Sequence, residues 1–208
     1  MDTTTTATVT GWPHLYTPGS AEAPVLLMLH GTGGNEHEIA ALAAELDPGA
    51  GVLAPRGRVA EAGMLRWFRR NGEGVFDVDD VIIRAGELAG FVDAARGHYG
   101  LGGRRLVAVG FSNGANIAGS MLLLGCPVPL EAILIRAMVP LVPERLPKLA
   151  GRRVLILAGK VDPMSPPDQP KKMVQMLRGA GADATLKFND AGHDLTPGDI
   201  AAAREWLG

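Results

Sequence analysis

Hydrophobic positions along this chain fall into short unbroken runs separated by longer helical patterns. Val25-Leu26-Leu27-Met28-Leu29, Leu106-Val107-Ala108-Val109, Ala132-Ile133-Leu134-Ile135 and Val154-Leu155-Ile156-Leu157-Ala158 show no polar alternation. Strands read this way when helices cover both faces of their sheet. Gly51–Ala54 and Ala184–Phe188 are weaker strands. Between the runs, helices are predicted over Glu36–Leu46, Asp79–His98, Ile117–Leu124, Asp168–Gly179 and Pro197–Leu207. The last opens on Thr196-Pro197, a cap followed by a first-turn proline. This alternation predicts one α/β domain over residues 1–208, with a mostly parallel twisted sheet and helices on both faces. Residues 1–20 are expected to add an edge strand or hairpin. The segment from Arg56 to Val78 is too long for an ordinary connection, and such loops often line functional sites.

Composition narrows the function by exclusion. With 47% hydrophobic and 20% charged residues, the chain suits a packed core rather than a disordered state. The 20 basic residues against 22 acidic ones give a net charge of −2, unlike a nucleic-acid binder, which needs clustered positive charge. Cys126 stands alone, so it forms neither an internal disulfide nor a cysteine-rich metal site, and a structural thiol is expected. His30 and His37, with Glu36 and Glu38 nearby, lack the H-E-x-x-H spacing, so no metal and no cofactor are expected. No run of 18 apolar residues predicts a membrane span, and the first 16 residues lack the features of a secretory signal. A cytoplasmic protein is the expectation. A homodimer is compatible with a chain of this size, and no patch in the sequence marks its interface.

The strongest chemical signal is Gly110-Phe111-Ser112-Asn113-Gly114, directly after a predicted strand and before a helical pattern. A nucleophile elbow requires that context, because its serine sits on a sharp turn above the sheet edge. Serine occurs only four times among 208 residues and glycine 28 times, so a chance match has odds of about 7%. A serine needs a general base, and the base needs an orienting acid. His193 is the one histidine downstream of Ser112, and Asp162 follows the strand ending at Ala158. Both fall where strand ends gather, in the order Ser, Asp, His. Asp168, Asp190 and Asp194 are rivals for the acid: the first suits a helix start, and the other two lie too close to His193 in sequence. The loop His30-Gly31-Thr32-Gly33-Gly34 follows the first apolar strand. It matches neither dinucleotide nor Walker A patterns. It suits an oxyanion loop, with the backbone N–H groups of Thr32 and Asn113 as the expected donors. His30 is assigned to bracing the turn.

With these pieces in place, the chain resembles the α/β-hydrolase superfamily, and within it the small phospholipase/carboxylesterase family. The matching segments are Leu29–Glu36, Ala54–Gly57, Gly110–Ala118, Asp162-Pro163, Ala180–Asp183 and Gly192–Thr196. The resemblance implies a Ser112–His193–Asp162 triad and cofactor-free hydrolysis of a small-molecule ester or thioester. Acyl-protein thioesterases read G-F-S-Q-G-G where this chain has Gly-Phe-Ser-Asn-Gly-Ala, so a lipidated-protein substrate is not carried over. Trp67, Phe68, Met138, Leu141 and Met164 are expected to form pocket walls. Arg69, Arg70 and Arg136 are candidates for pairing with an anionic substrate group. A serine carboxylesterase acting on small soluble esters is the leading reading; a thioesterase or lysophospholipase with the same triad and a non-catalytic ligand-binding role are the competing ones.

Overall fold

The structure is a computed structural model that describes residues 5–9, 11–72, 74–128 and 130–208. In chain order the elements are β1 (Thr5–Val9), β2 (Trp12–Thr17), β3 (Val25–Leu29), α1 (Glu36–Leu46), β4 (Gly51–Pro55), β5 (Val59–Glu61) and β6 (Met64–Arg66). There follow β7 (Arg70–Gly72), β8 (Val75–Phe76), α2 (Val78–His98), β9 (Leu106–Phe111), α3 (Asn113–Leu123) and β10 (Leu130–Ile135). The chain ends with β11 (Arg153–Gly159), α4 (Asp168–Gly179), β12 (Asp183–Asn189) and α5 (Pro197–Leu207). Eight strands form one sheet in the order β1-β2-β4-β3-β9-β10-β11-β12. The last six run parallel, while β2 pairs antiparallel with both β1 and β4.

The unbroken apolar runs now have a physical account. In β3, Val25, Leu27 and Leu29 pack into the layer beneath α2, α3 and α4, while Leu26 and Met28 face α1 and α5. The strand β11 divides likewise, with Val154 and Ile156 on the first side and Leu155 and Leu157 on the second. Successive side chains point to opposite faces, so a strand covered on both sides has no polar position.

Helix ends follow their caps. The Asn35 side chain accepts bonds from the N–H groups of His37 and Glu38 at the start of α1. Thr196 and Asp199 cap each other at the start of α5, with Pro197 in the first turn. The helix expected over Ile117–Leu124 begins four residues earlier, at Asn113, because the glycine-rich run after Ser112 is already helical. The 1–20 expectation holds for the described part as an antiparallel β1–β2 hairpin; residues 1–4 and 10 lie outside the described residues. The long segment from Arg56 to Val78 folds into two small hairpins, β5–β6 and β7–β8. Among the described residues, no helix is long and apolar enough to cross a membrane.

Candidate active site

The strand order reverses direction between β3 and β9: β3 leads on one side to β4, whereas β9 leads on the other to β10, β11 and β12. Loops leaving the carboxyl ends of such a strand pair diverge and open a crevice. The loop after β3 carries His30 to Gly34, and the turn after β9 carries Ser112. Asp162 leaves β11 and His193 leaves β12, both at the same edge of the sheet.

Ser112 adopts φ 52° and ψ −113°, a conformation that L-residues rarely take. Two glycines make the turn feasible. A Cβ on Gly114 would stand 2.0 Å from the Leu29 carbonyl oxygen, and one on Gly110 would stand 2.5 Å from the Gly114 carbonyl and the Ala115 nitrogen. The G-x-S-x-G pattern therefore records two backbone approaches that exclude any side chain. The turn is fastened by the Ser112 N–H, which donates to the Ile135 carbonyl at 2.8 Å.

From Ser112 a continuous polar chain runs inward. Ser112 Oγ lies 2.9 Å from His193 Nε2, and His193 Nδ1 lies 2.9 Å from Asp162 Oδ2. The other carboxyl oxygen, Oδ1, accepts the N–H groups of Met164 and Ser165 at 2.9 and 3.0 Å. Oδ2 is thus left for the imidazole. A buried carboxylate held this way requires the Nδ1–H tautomer, so Nε2 is free to accept the serine proton. The rival acids are elsewhere: Asp168 opens α4, Asp190 is exposed and pairs with Lys160, and Asp194 contributes only its carbonyl to Arg136.

The glycine loop is stitched to the β5–β6 hairpin. The Gly33 N–H donates to the Leu65 carbonyl at 2.9 Å, and Trp67 Nε1 donates to the His30 carbonyl at 2.8 Å. The Trp67 N–H donates to Asn113 Oδ1 at 2.8 Å, and Arg66 Nη1 donates to Thr32 Oγ1 at 3.0 Å. Both residues expected to supply oxyanion donors are thereby tied through their side chains to one segment. His30 is buried beneath the loop and bonded at both nitrogens. Nε2 accepts the Gly57 N–H at 2.9 Å, so the proton resides on Nδ1, which donates to the Gly31 carbonyl at 2.7 Å. Burial holds its pKa below 6.5, outweighing the opposing pull of the Gly31 bond and of Glu36 and Glu38. Neutral His30 is the form the fold selects, so its stabilising share is complete above about pH 6.5 and is lost as pH falls towards its lowered pKa. An NMR titration of the native protein is expected to give His30 a midpoint below 6.5; a midpoint at or above that value would contradict the bracing role.

A cavity of about 360 Å³ opens onto Ser112 and His193. Met138, Met164 and Arg70, all named from the sequence, line it, and so do Arg66, Phe76 and Asn116, which were not. Asn116 lies four residues beyond Ser112, one helical turn on, which is the signal that could have found it. Trp67 and Phe68 do not line the cavity. Both are buried in the core, Trp67 tilted over His30 and Phe68 edge-on to Phe76. Leu141 is likewise core. Arg69 is 61% exposed and pairs with Asp77 and Asp80, away from the cavity. Arg136 reaches the cavity wall, but its guanidinium is fully occupied by Asp199 and by backbone carbonyls, so it is not available to a substrate. Cys126 is half-buried at the far end of α3, where burial pushes its thiol pKa up.

Comparison with known proteins agrees with this architecture. No family model matches the sequence. The chain is 45% identical over 193 residues to the Bacillus subtilis (strain 168) protein named "Putative hydrolase MhqD", covering 93% of this chain and 96% of that protein. The Bacillus cereus carboxylesterase structure superposes with a TM-score of 0.91 at 42% identity, covering 95% of this chain and 94% of the other. A Mesorhizobium loti carboxylesterase gives 0.86 at 30% identity, with 99% and 98% covered. The chain belongs to the α/β-hydrolase superfamily and, within it, to the phospholipase/carboxylesterase family.

Proposed function

We propose that this protein is a serine carboxylesterase acting on small esters, with Ser112, His193 and Asp162 as its catalytic residues. The observation that carries the reading is the hydrogen-bonded chain from Ser112 Oγ through His193 to Asp162, open to a cavity at its serine end. His193 Nε2 takes the proton of Ser112 as Oγ bonds to the acyl carbon. The negative charge that develops on the carbonyl oxygen is held by the N–H groups of Thr32 and Asn113. His193 then gives its proton to the departing alkoxide, and the acyl-enzyme forms. Water enters, loses a proton to Nε2 and releases the acid, after which the proton returns to Oγ. Asp162 keeps the ring in the Nδ1–H tautomer and stabilises the imidazolium between these transfers.

A cavity of about 360 Å³ lies at the lower end of the range for ligand sites, which favours a small substrate over a long acyl chain. That observation also argues against a lysophospholipase reading. The carboxylesterases of 42% and 30% identity support an ester rather than another acyl donor. The test is labelling of the purified protein with a fluorophosphonate, followed by peptide mapping and assay on p-nitrophenyl acetate. The expected result is one adduct, on Ser112, with loss of esterase activity in step with labelling. A protein that neither labels nor turns over the ester would be a binding protein on this fold.

A further inference from the structure

Two arginines that the proposed chemistry does not use line the cavity beside Ser112. Arg66, at the end of β6, is only 3% exposed, yet it forms part of the cavity wall. Arg70, at the start of β7, enters the same wall from the second hairpin. One carboxylate stands behind both: Glu61 Oε1 accepts Arg70 Nε at 2.9 Å, and Glu61 Oε2 lies 3.2 Å from Arg66 Nε. Glu61 itself does not line the cavity. The third cavity arginine, Arg136, is balanced by Asp199 at 2.7 Å. Among the described residues, the cavity wall therefore carries two guanidinium groups for one shared counterion; Glu73 lies outside the described residues.

A buried guanidinium is costly unless its charge is met. For Arg66, burial and then the charge of Arg70 disfavour the protonated form, and Glu61 only opposes them. An anion entering the cavity would meet that excess charge. Guanidinium forks pair with carboxylates in two parallel hydrogen bonds, which adds geometric selection to attraction. Arg66 also holds Thr32, so the positive charge lies close to the proposed oxyanion donors and therefore close to the acyl group being cleaved.

We propose that Arg66 and Arg70 form a carboxylate subsite next to Ser112, and that the preferred substrates are small esters bearing a free carboxylate, such as half-esters of short dicarboxylic acids. This rests on the reading of Ser112 as an ester-cleaving nucleophile. The test compares kcat/KM for monomethyl succinate with that for methyl 4-methylpentanoate, which replaces the carboxylate by an uncharged branched group of similar shape. Wild type is expected to favour the half-ester by about tenfold or more, the usual scale for a charge-assisted bond. The ratio should fall towards one in Arg70→Gln, stand between that and wild type in Arg70→Lys, which keeps the charge without the fork, and rise in Glu61→Gln, which removes the shared counterion. Added salt should lower it, because Arg70 is partly exposed. Melting curves identify any variant that fails to fold. A wild-type ratio near or below one, or a ratio unmoved in folded Arg70→Gln, overturns the subsite while fluorophosphonate labelling of Ser112 leaves the esterase reading intact. If neither ester is cleaved and Ser112 does not label, both fall together.

Discussion

Ser112→Ala is expected to lower kcat on p-nitrophenyl acetate by roughly a millionfold, the scale seen when a triad nucleophile is removed. The fold should barely respond. The hydroxyl makes one side-chain bond, to His193 Nε2, in a partly exposed site, so its loss costs no more than about 1 kcal/mol. The residual rate should come from substrate binding and the oxyanion donors alone. Because the three side chains act as a unit, adding His193→Ala to Ser112→Ala is expected to cost almost nothing further. The check is steady-state kinetics of both variants beside a thermal melt. A Ser112→Ala enzyme within tenfold of wild type, with its fold intact, would remove Ser112 as the nucleophile.

The sequence yielded the central strands because each is covered on both faces, which leaves an unbroken apolar run with no other common explanation. It yielded Ser112 because the elbow tolerates no Cβ at Gly110 or Gly114, so backbone packing is written directly into residue identity. His193 and Asp162 followed from chain order on this fold. The pocket wall was far less legible. Trp67 and Phe68 were expected beside the substrate because they sit in a long loop, yet burial of large aromatic surface drew both into the core. Their polar neighbours Arg66 and Arg70 face the cavity instead. In short irregular hairpins no period tells which side chain points inward, so the direction had to come from packing. Arg136 does reach the cavity wall, but its guanidinium is already occupied. Its partner, Asp199, lies 63 residues away in the chain, so nothing local to Arg136 marks the carboxylate that occupies it.

That pair carries the largest stability effect expected away from the nucleophile. Arg136 and Asp199 have fully buried side chains, and Arg136 itself adopts φ 59° at the end of β10. Its Nε donates to the Gly192 carbonyl at 2.9 Å and its Nη2 to the Asp194 carbonyl at 2.8 Å, so it grips the backbone on both sides of His193. Burial works to raise the Asp199 pKa, but the bonds from Arg136 and Thr196 outweigh it and hold the carboxyl below its usual range. In wild type this contribution to stability is therefore present above about pH 4 and lost as pH falls through the lowered value. Arg136→Met leaves Asp199 buried without its cation. The expected cost is about 3–5 kcal/mol at neutral pH, a fall in Tm on the order of 10 °C. The pH dependence should also change sign for this group. With burial unopposed by the arginine, the Asp199 pKa in the variant rises above its unfolded value, so acidification recovers part of the lost stability. Arg136→Met with Asp199→Asn should accordingly be more stable than Arg136→Met alone at pH 7, and the two substitutions should couple strongly. Since the loop carrying His193 is released in both, kcat should remain reduced in the double variant even where Tm recovers. Parallel melts at pH 5 and 7, with kcat measured below each melting point, separate the two effects. Equal losses at both pH values would show that Arg136 does not balance Asp199, and full recovery of kcat with Tm would show that it does not position His193.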